Sequence, residues 1–146
     1  MKRILKLIII GIIGGTVLAE MLRMIYLVTG INAYNLLFNF DYLPFIGQYS
    51  QTDAWTGMLF HYFTCVMSVL VSYYIFKKYG IQKDVLPYVV LFLIGSLILF
   101  FLTGLSPELP EWNDWSAFIF FGFGHLVYGL VVGKLIQELI DEYLFL

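Results

Sequence analysis

Four charged or imidazole side chains lie well away from the basic ends of the long apolar stretches of this sequence, where such groups are rare. Glu20 and Arg23 lie in the first stretch, His61 in the second and His125 in the fourth. Imidazole gains and loses a proton near neutral pH, and a buried carboxyl group can retain its proton. Because charged groups are costly in hydrocarbon, such residues are typical of functional sites wherever apolar stretches cross a bilayer. The pattern therefore favours a proton-responsive site.

Three of these residues lie at similar distances from the outer ends of their apolar stretches. With about 1.5 Å of rise per residue, Glu20 lies about 12 Å, His61 about 10 Å and His125 about 13–15 Å below the outer end of its stretch. Arg23 lies one turn from Glu20 on the same helix face. We therefore predict a buried polar cluster of Glu20, Arg23, His61 and His125, with Tyr62 or Tyr128 as hydrogen-bonding neighbours. The same network could instead only fix helix register and packing, and the sequence leaves both interpretations open.

Two other chemistries fit parts of the same set. Histidines on two different helices, here His61 and His125, can hold a haem axially. Glu20 with both histidines has the ligand types that zinc or iron accepts. The chain has no further paired histidines and no dense ligand motif, so we expect neither a cofactor nor a metal. No nucleophile lies in a recognisable catalytic motif, so we also expect that the protein is not an enzyme.

The apolar stretches themselves define the fold class. They cover about residues 4–28, 54–76, 85–105 and 116–140, and each is long enough to cross about 30 Å of hydrocarbon as a helix. Charged residues make up 12% of the chain, well below the roughly 25% of soluble domains, which excludes a soluble globule. We therefore predict one domain over residues 1–146, an all-α integral membrane four-helix bundle that has the lipid bilayer as a partner and no nucleic-acid-binding domain.

Basic residues are distributed unevenly along the chain. Three lie before or at the start of the first stretch, three lie between the second and third, and one lies late in the fourth: Lys2, Arg3, Lys6, Lys77, Lys78, Lys83 and Lys134. Because cytoplasmic segments of membrane proteins carry an excess of Lys and Arg, we predict that both termini and the 77–84 connection face the cytoplasm. One alternative is a cleaved secretory signal ending near Ala19, but apolar residues continue through Val28 and favour a retained span.

Aromatic residues crowd the first connection, which runs from Thr29 to Asp53. A solvated loop would not carry so many of them. We therefore predict a short amphipathic helix around Ala33 to Phe40 that lies in the outer membrane interface, where aromatic rings are enriched. The alternative is that this connection forms a surface for a partner protein.

Small residues recur at four-residue spacing in the first and fourth stretches. Gly11 and Gly15 form one stripe, and Gly129 and Gly133 form another. Such stripes let helix backbones approach closely, so we predict helix packing at all four positions. In a rival interpretation the chain is one subunit of an oligomeric transporter or channel, because four short helices hardly enclose a pathway alone. The face of Gly129 and Gly133 is then the candidate contact with another copy or with a membrane-protein partner.

The residues around the third connection carry an ordered set of motifs. They read Leu102-Thr103-Gly104-Leu105-Ser106-Pro107, then Leu109-Pro110, Trp112-Asn113-Asp114 and, in the fourth stretch, Phe123-Gly124-His125-Leu126-Val127. In this order the chain resembles the YagU family of small bacterial inner-membrane proteins. The resemblance implies that Pro107, Pro110, Trp112 and Asp114 form an outer-loop motif of that family. It also implies that His125 is one of the family's motif positions.

The resemblance implies a multi-pass protein of the bacterial cytoplasmic membrane with a family association with acid tolerance. His61 and Glu20 also match the family plan, in less detail. The family's proline-arginine segment after the first span has no counterpart here, where the chain continues Tyr26-Leu27-Val28-Thr29-Gly30. Together, residues and resemblance predict a small acid- or stress-related accessory membrane protein with a proton-responsive core.

Overall fold

The computed structural model describes residues 2–39, 54–105 and 110–140. Within these ranges the chain is all-helical, with four α-helices and no strand. The helices are α1 (Lys2–Thr29), α2 (Ala54–Lys78), α3 (Val85–Phe101) and α4 (Trp115–Leu139). Each helix lies on one of the four apolar stretches, so the prediction of an all-α fold with four helices is confirmed.

Three of the helices, α1, α2 and α4, are long and apolar enough to cross a membrane. The third, α3, has 17 residues, which gives about 26 Å of helix. A 3-10 helix, Leu102–Leu105, continues it directly and adds about 8 Å at the larger rise of that conformation. Together the two helices are about as long as the roughly 30 Å of hydrocarbon that the third stretch was predicted to cross. Its last turn is a 3-10 helix, which is wound more tightly than the predicted α-helix.

Local sequence signals account for the helix ends. Gly30 and Gly80 follow α1 and α2 with φ of 74° and 73°, the left-handed conformation that glycine adopts most readily after a helix. Asp114 precedes α4, and its side chain accepts a hydrogen bond from the Ala117 N–H at 2.9 Å, which caps the first turn. Pro87 lies in the first turn of α3, where its missing N–H costs no helical hydrogen bond.

The four helices form a bundle in which the closely packed neighbours follow the order α2, α1, α4, α3. Helix α1 packs against both α2 and α4, and α3 packs against α4, whereas α2 and α3 approach each other less closely. Aromatic rings fill the space between these two helices. The Phe76 and Tyr88 rings meet edge to face with centroids 4.9 Å apart. The seam between α2 and α3 is therefore closed by side chains.

Glycines close the other contacts. A Cβ added to Gly11 would lie 2.7 Å from Cα of Val66 in α2, and one added to Gly129 would lie 2.7 Å from Cα of Val89 in α3. The remaining two glycines predicted to mediate packing, Gly15 and Gly133, lie against α2 and α3 in the same way. The face of Gly129 and Gly133 is thus occupied by α3 of the same chain, which corrects its assignment as a contact with another copy.

One end of the bundle, here called the basic end, joins the start of α1, the turn at residues 79–84 and the end of α4. Lys6 Nζ donates a hydrogen bond to the carbonyl of Leu139 at 2.7 Å. Lys83 Nζ donates to the carbonyls of Gln137, at 3.0 Å, and Ile140. These ammonium groups satisfy carbonyls that the end of a helix leaves unpaired and counter its partial negative charge.

The described part of the first connection, residues 30–39, lies at the opposite end of the bundle, called the far end. The predicted interfacial helix at Ala33 to Phe40 is present only as a 3-10 helix, Asn35–Leu37. Its apolar neighbours Ala33, Leu36 and Leu37 are buried, so this segment turns them into the protein and not onto a membrane surface. Residues 40–53, including the last position of the predicted helix, lie outside the described residues.

Candidate functional site

Tyr128 of α4 lies where all four helices meet. Its ring packs directly on Gly14 of α1, where an added Cβ would come within 2.8 Å of the Tyr128 Cε2 atom. On another side the ring meets Phe92 of α3 with centroids 4.8 Å apart. The tyrosine is almost fully buried, and its size fills the centre of the bundle at this level. Sequence reasoning gave Tyr128 only a supporting role as a neighbour of the histidines.

The Tyr128 hydroxyl joins α4 to α2 through a small hydrogen-bond network. It donates to the Cys65 carbonyl at 3.0 Å and lies 3.0 Å from the Ser68 hydroxyl oxygen. Ser68 in turn donates to the same Cys65 carbonyl at 2.8 Å. Because buried hydroxyl groups need partners, this network explains why polar atoms are tolerated at the centre of an apolar bundle.

His61 of α2 is the most deeply placed of the four predicted ionisable residues, with 3% of its surface exposed. Its Nε2 lies 3.0 Å from the carbonyl oxygen of Gly15 in α1. A carbonyl can only accept, so Nε2 carries a proton and donates it. The Cys65 sulfur lies 3.9 Å from both ring nitrogens. His61 therefore ties α2 to the glycine stripe of α1.

The first connection covers His61 at the far end. The Phe38 ring meets the imidazole edge to face with centroids 5.6 Å apart, and the Tyr62 ring does so at 5.2 Å. Gly57 lets the chain at Phe38 pass against the start of α2, since an added Cβ would collide with the Phe38 carbonyl oxygen. Aromatic side chains thus separate His61 from the far end of the bundle.

His125 of α4 lies one turn from Tyr128 and is half-buried. Its Nδ1 donates to the Phe121 carbonyl of its own helix at 2.9 Å. The Phe121 ring lies against the imidazole with centroids 4.4 Å apart. The His125 and Tyr128 rings have centroids 6.3 Å apart. His61 approaches the same tyrosine through Cys65, whose carbonyl accepts the hydrogen bond of the Tyr128 hydroxyl.

Glu20 and Arg23 are not part of this group. Arg23 Nη1 lies 3.4 Å from Glu20 Oε2, and the two side chains are 53% and 59% exposed. They lie on the face of α1 opposite its buried residues, so they point away from the bundle. The prediction that Glu20 and Arg23 lie in a buried cluster is therefore wrong for the single chain, although their mutual pairing is present.

The arrangement does not fit the two cofactor alternatives. A metal site needs Glu20 beside both histidines, but Glu20 lies on the outer face of α1. Within the described parts of the chain, no three residues of the types His, Cys, Asp and Glu converge. To hold a haem through Nε2, His61 would have to give up its contact with the Gly15 carbonyl, 3.0 Å away.

The outer-loop motif has a structural role where it is described. Pro110 is fully buried, whereas Trp112 is exposed and lies beside Gly104. Asp114 is the cap of α4. Pro107 lies outside the described residues. These positions fix the path from α3 into α4, so the motif shapes the far end and does not reach the histidines.

Several residues of the central group were not predicted from the sequence. Ser68 belongs to a stripe of small polar residues in α2 with Thr64 and Ser72, and that spacing was the available signal. Cys65 contributes its backbone carbonyl, which no side-chain pattern can reveal. Gly14 gives no signal of its own because it lies between the two glycines that stand at four-residue spacing.

Comparison with protein-family models, with curated proteins and with solved structures found no match. The resemblance to the YagU family therefore stays a prediction from the motifs alone, and the function proposed below depends on the geometry of the chain itself.

Proposed function

We propose that this protein is a small, non-enzymatic accessory protein of the bacterial cytoplasmic membrane whose helix packing responds to protons through His61 and His125. The observation that carries this proposal is the placement of two imidazoles on α2 and α4 around the Tyr128 centre. The resemblance to the YagU family, with its association with acid tolerance, points in the same direction. Glu20 has no part in this revised site.

Protonation of either histidine would place a charge among apolar helices. An interior charge is costly unless a group of opposite charge accompanies it. Among the described residues, no carboxylate is hydrogen-bonded to either ring; the polar groups around them are Cys65, Tyr62, Tyr128 and the Gly15 and Phe121 carbonyls. Two protonated imidazoles would also repel each other. Acid should therefore loosen the contacts of α2 and α4 with the rest of the bundle.

The first experiment compares thermal unfolding of the purified protein in detergent at pH 8 and pH 5, the interval in which an unperturbed imidazole becomes charged. We expect the wild-type melting temperature to fall on acidification, because the packed core holds uncharged rings and the unfolded chain holds charged ones. The His61→Phe/His125→Phe variant should show a much smaller change between the two pH values. An unchanged pH dependence in that variant would rule out the histidines as its source.

Two control variants separate titration from packing. His61→Gln keeps an N–H donor for the Gly15 carbonyl but cannot take up a proton, so it should reduce the pH dependence to the part that His125 contributes, with a smaller loss of stability than His61→Phe. Glu138→Gln replaces an exposed carboxylate on α4, and it should leave the pH dependence as in the wild type.

The proposed orientation places the basic end in the cytoplasm. Lys6, Lys83 and Lys134 belong to that end, and an excess of basic residues marks cytoplasmic segments. A reporter that fluoresces only in the cytoplasm, fused after residue 146, is expected to be fluorescent, whereas the same reporter placed between Trp112 and Asp114 should be dark. The reverse pattern would contradict the orientation and leave the histidine experiment unaffected.

A further inference from the structure

A stripe of exposed residues runs along α1 on the face opposite its buried residues. Its members follow one another at alternating intervals of four and three positions: Ile9, Ile13, Thr16, Glu20, Arg23 and Leu27. This alternation is the spacing with which two helices pack side by side in a left-handed pair. The face is called the α1 stripe below. Thr16 Oγ1 lies 3.1 Å from the Tyr62 hydroxyl of α2, and all six side chains are exposed in the single chain.

The charges on the α1 stripe are in an unfavourable place if α1 crosses a membrane, as the proposed function holds. Glu20 is nine residues from the end of α1, which places it about 13 Å along the helix from that end. Charged side chains at such depths almost always face protein or water and not lipid. Their large exposed fractions show that the single chain leaves the pair on its surface.

The contact within the pair leaves capacity for further partners. A guanidinium has five N–H donors and commonly binds a carboxylate through two of them. Arg23 reaches Glu20 through one nitrogen at 3.4 Å, which is a long single contact. A second carboxylate at the same depth would complete the hydrogen bonding of Arg23, and a second guanidinium would do so for Glu20.

A second copy of the same chain offers both groups at the required height. In a parallel pair of α1 helices related by a two-fold axis along the membrane normal, equal positions lie at equal depth. Because Glu20 and Arg23 are three residues apart, the carboxylate of each copy and the guanidinium of the other differ by about 4.5 Å in height. The α1 stripe is therefore complementary in charge to itself, as an interface with two-fold symmetry must be.

We infer that two copies of this chain pair in the membrane through the α1 stripe, with Glu20 of each copy bound to Arg23 of the other. The four charges form one neutral cluster shielded from lipid by Thr16, Leu27 and their counterparts. This contact uses none of the glycines that hold the single bundle together, so both can exist at once.

Co-purification of two charge-reversed chains tests the exchange of charges between copies. Glu20→Arg gives a chain with two arginines in the stripe, and Arg23→Glu gives a chain with two glutamates. Neither can form the pair within itself or with an identical copy, so each alone is expected to lose self-association. Expressed together with different tags, the two chains should co-purify, because only a contact between copies restores opposite charges. Failure of the two chains to co-purify would overturn the inference.

Cross-linking at unaltered charges covers the case in which a reversed chain does not insert. In a Cys65→Ala background, Ile13→Cys lies on the stripe and Ile94→Cys lies on an exposed face of α3 at a similar distance from the basic end. Oxidation in native membranes should give a disulfide-linked dimer with Ile13→Cys and little with Ile94→Cys. A monomer with Ile13→Cys, which would indicate that Arg23 reaches the headgroups instead, or equal cross-linking at both positions, would overturn the inference.

Discussion

Replacing Gly129 with alanine is expected to destabilise the bundle by about 1–3 kcal/mol, the usual cost of forcing extra volume into a packed contact. The added methyl group would lie 2.7 Å from the Cα atom of Val89 and 3.1 Å from the Tyr88 carbonyl oxygen. Both neighbours are backbone atoms, so no side-chain rotation can make room and α3 must move away from α4. Titration of the purified protein with a denaturing detergent measures the change in the free energy of unfolding.

Gly95→Ala is the matched control for this experiment. Gly95 lies in α3, and an added Cβ there would meet no atom within 4 Å. Because alanine is the better helix former, this change should leave the stability unchanged or raise it by up to about 1 kcal/mol. If both alanine variants behaved alike, close backbone approach would not be what holds α3 against α4.

Replacing Tyr128 with alanine is expected to cost about 3–5 kcal/mol, the range for removing a buried aromatic ring. The ring touches Gly14 and Phe92, and the hydroxyl donates to the Cys65 carbonyl, so the side chain contacts three other helices. A cavity at this point removes support from the whole bundle. The same unfolding measurement applies. Phe123→Ala removes a ring of similar size from an exposed position on the same helix and should cost much less.

Tyr128→Phe separates the hydroxyl from the ring. We expect a loss of about 1 kcal/mol, the net value of a typical hydrogen bond. The loss should be small because Ser68 still donates to the Cys65 carbonyl at 2.8 Å and leaves no buried acceptor without a partner. A loss as large as that of Tyr128→Ala would show that the hydroxyl, and not the ring, dominates this position.

The number and type of the helices could be predicted because they depend on long-range hydropathy alone. Their ends followed from Gly30, Gly80 and the capping Asp114, whose effects are local to the backbone. The first connection was harder to predict. Its aromatic residues indicated a surface helix, but Leu36 and Leu37 are buried in the protein, and contacts with distant helices cannot be read from the residues of the connection alone.

Sequence reasoning about the site considered position along each helix but not the direction of each side chain, and Glu20 shows the consequence. Depth along a helix fixes the level of a residue but not the direction in which it points. Each residue turns the helix by about 100°, so the face of Gly11 and Gly15 that packs on α2 leaves Glu20 on the far side. Combining depth with the glycine stripe would have placed Glu20 outside. The central role of Tyr128 could not be predicted in this way, because it depends on side-chain size in three dimensions.

The seam between α2 and α3 gives the bundle a direction of least stiffness. Where glycine backbones touch, at Gly11 and Gly129, any separation of the helices must disturb main-chain atoms in van der Waals contact. Across the seam, rings such as Phe76 and Tyr88 can turn about their own bonds while both helices keep every backbone hydrogen bond. Side chains, the Tyr128 hydroxyl network and the turn at residues 79–84 therefore hold this side of the bundle, with no close backbone contact between α2 and α3. Changes in packing should arise first among these rings.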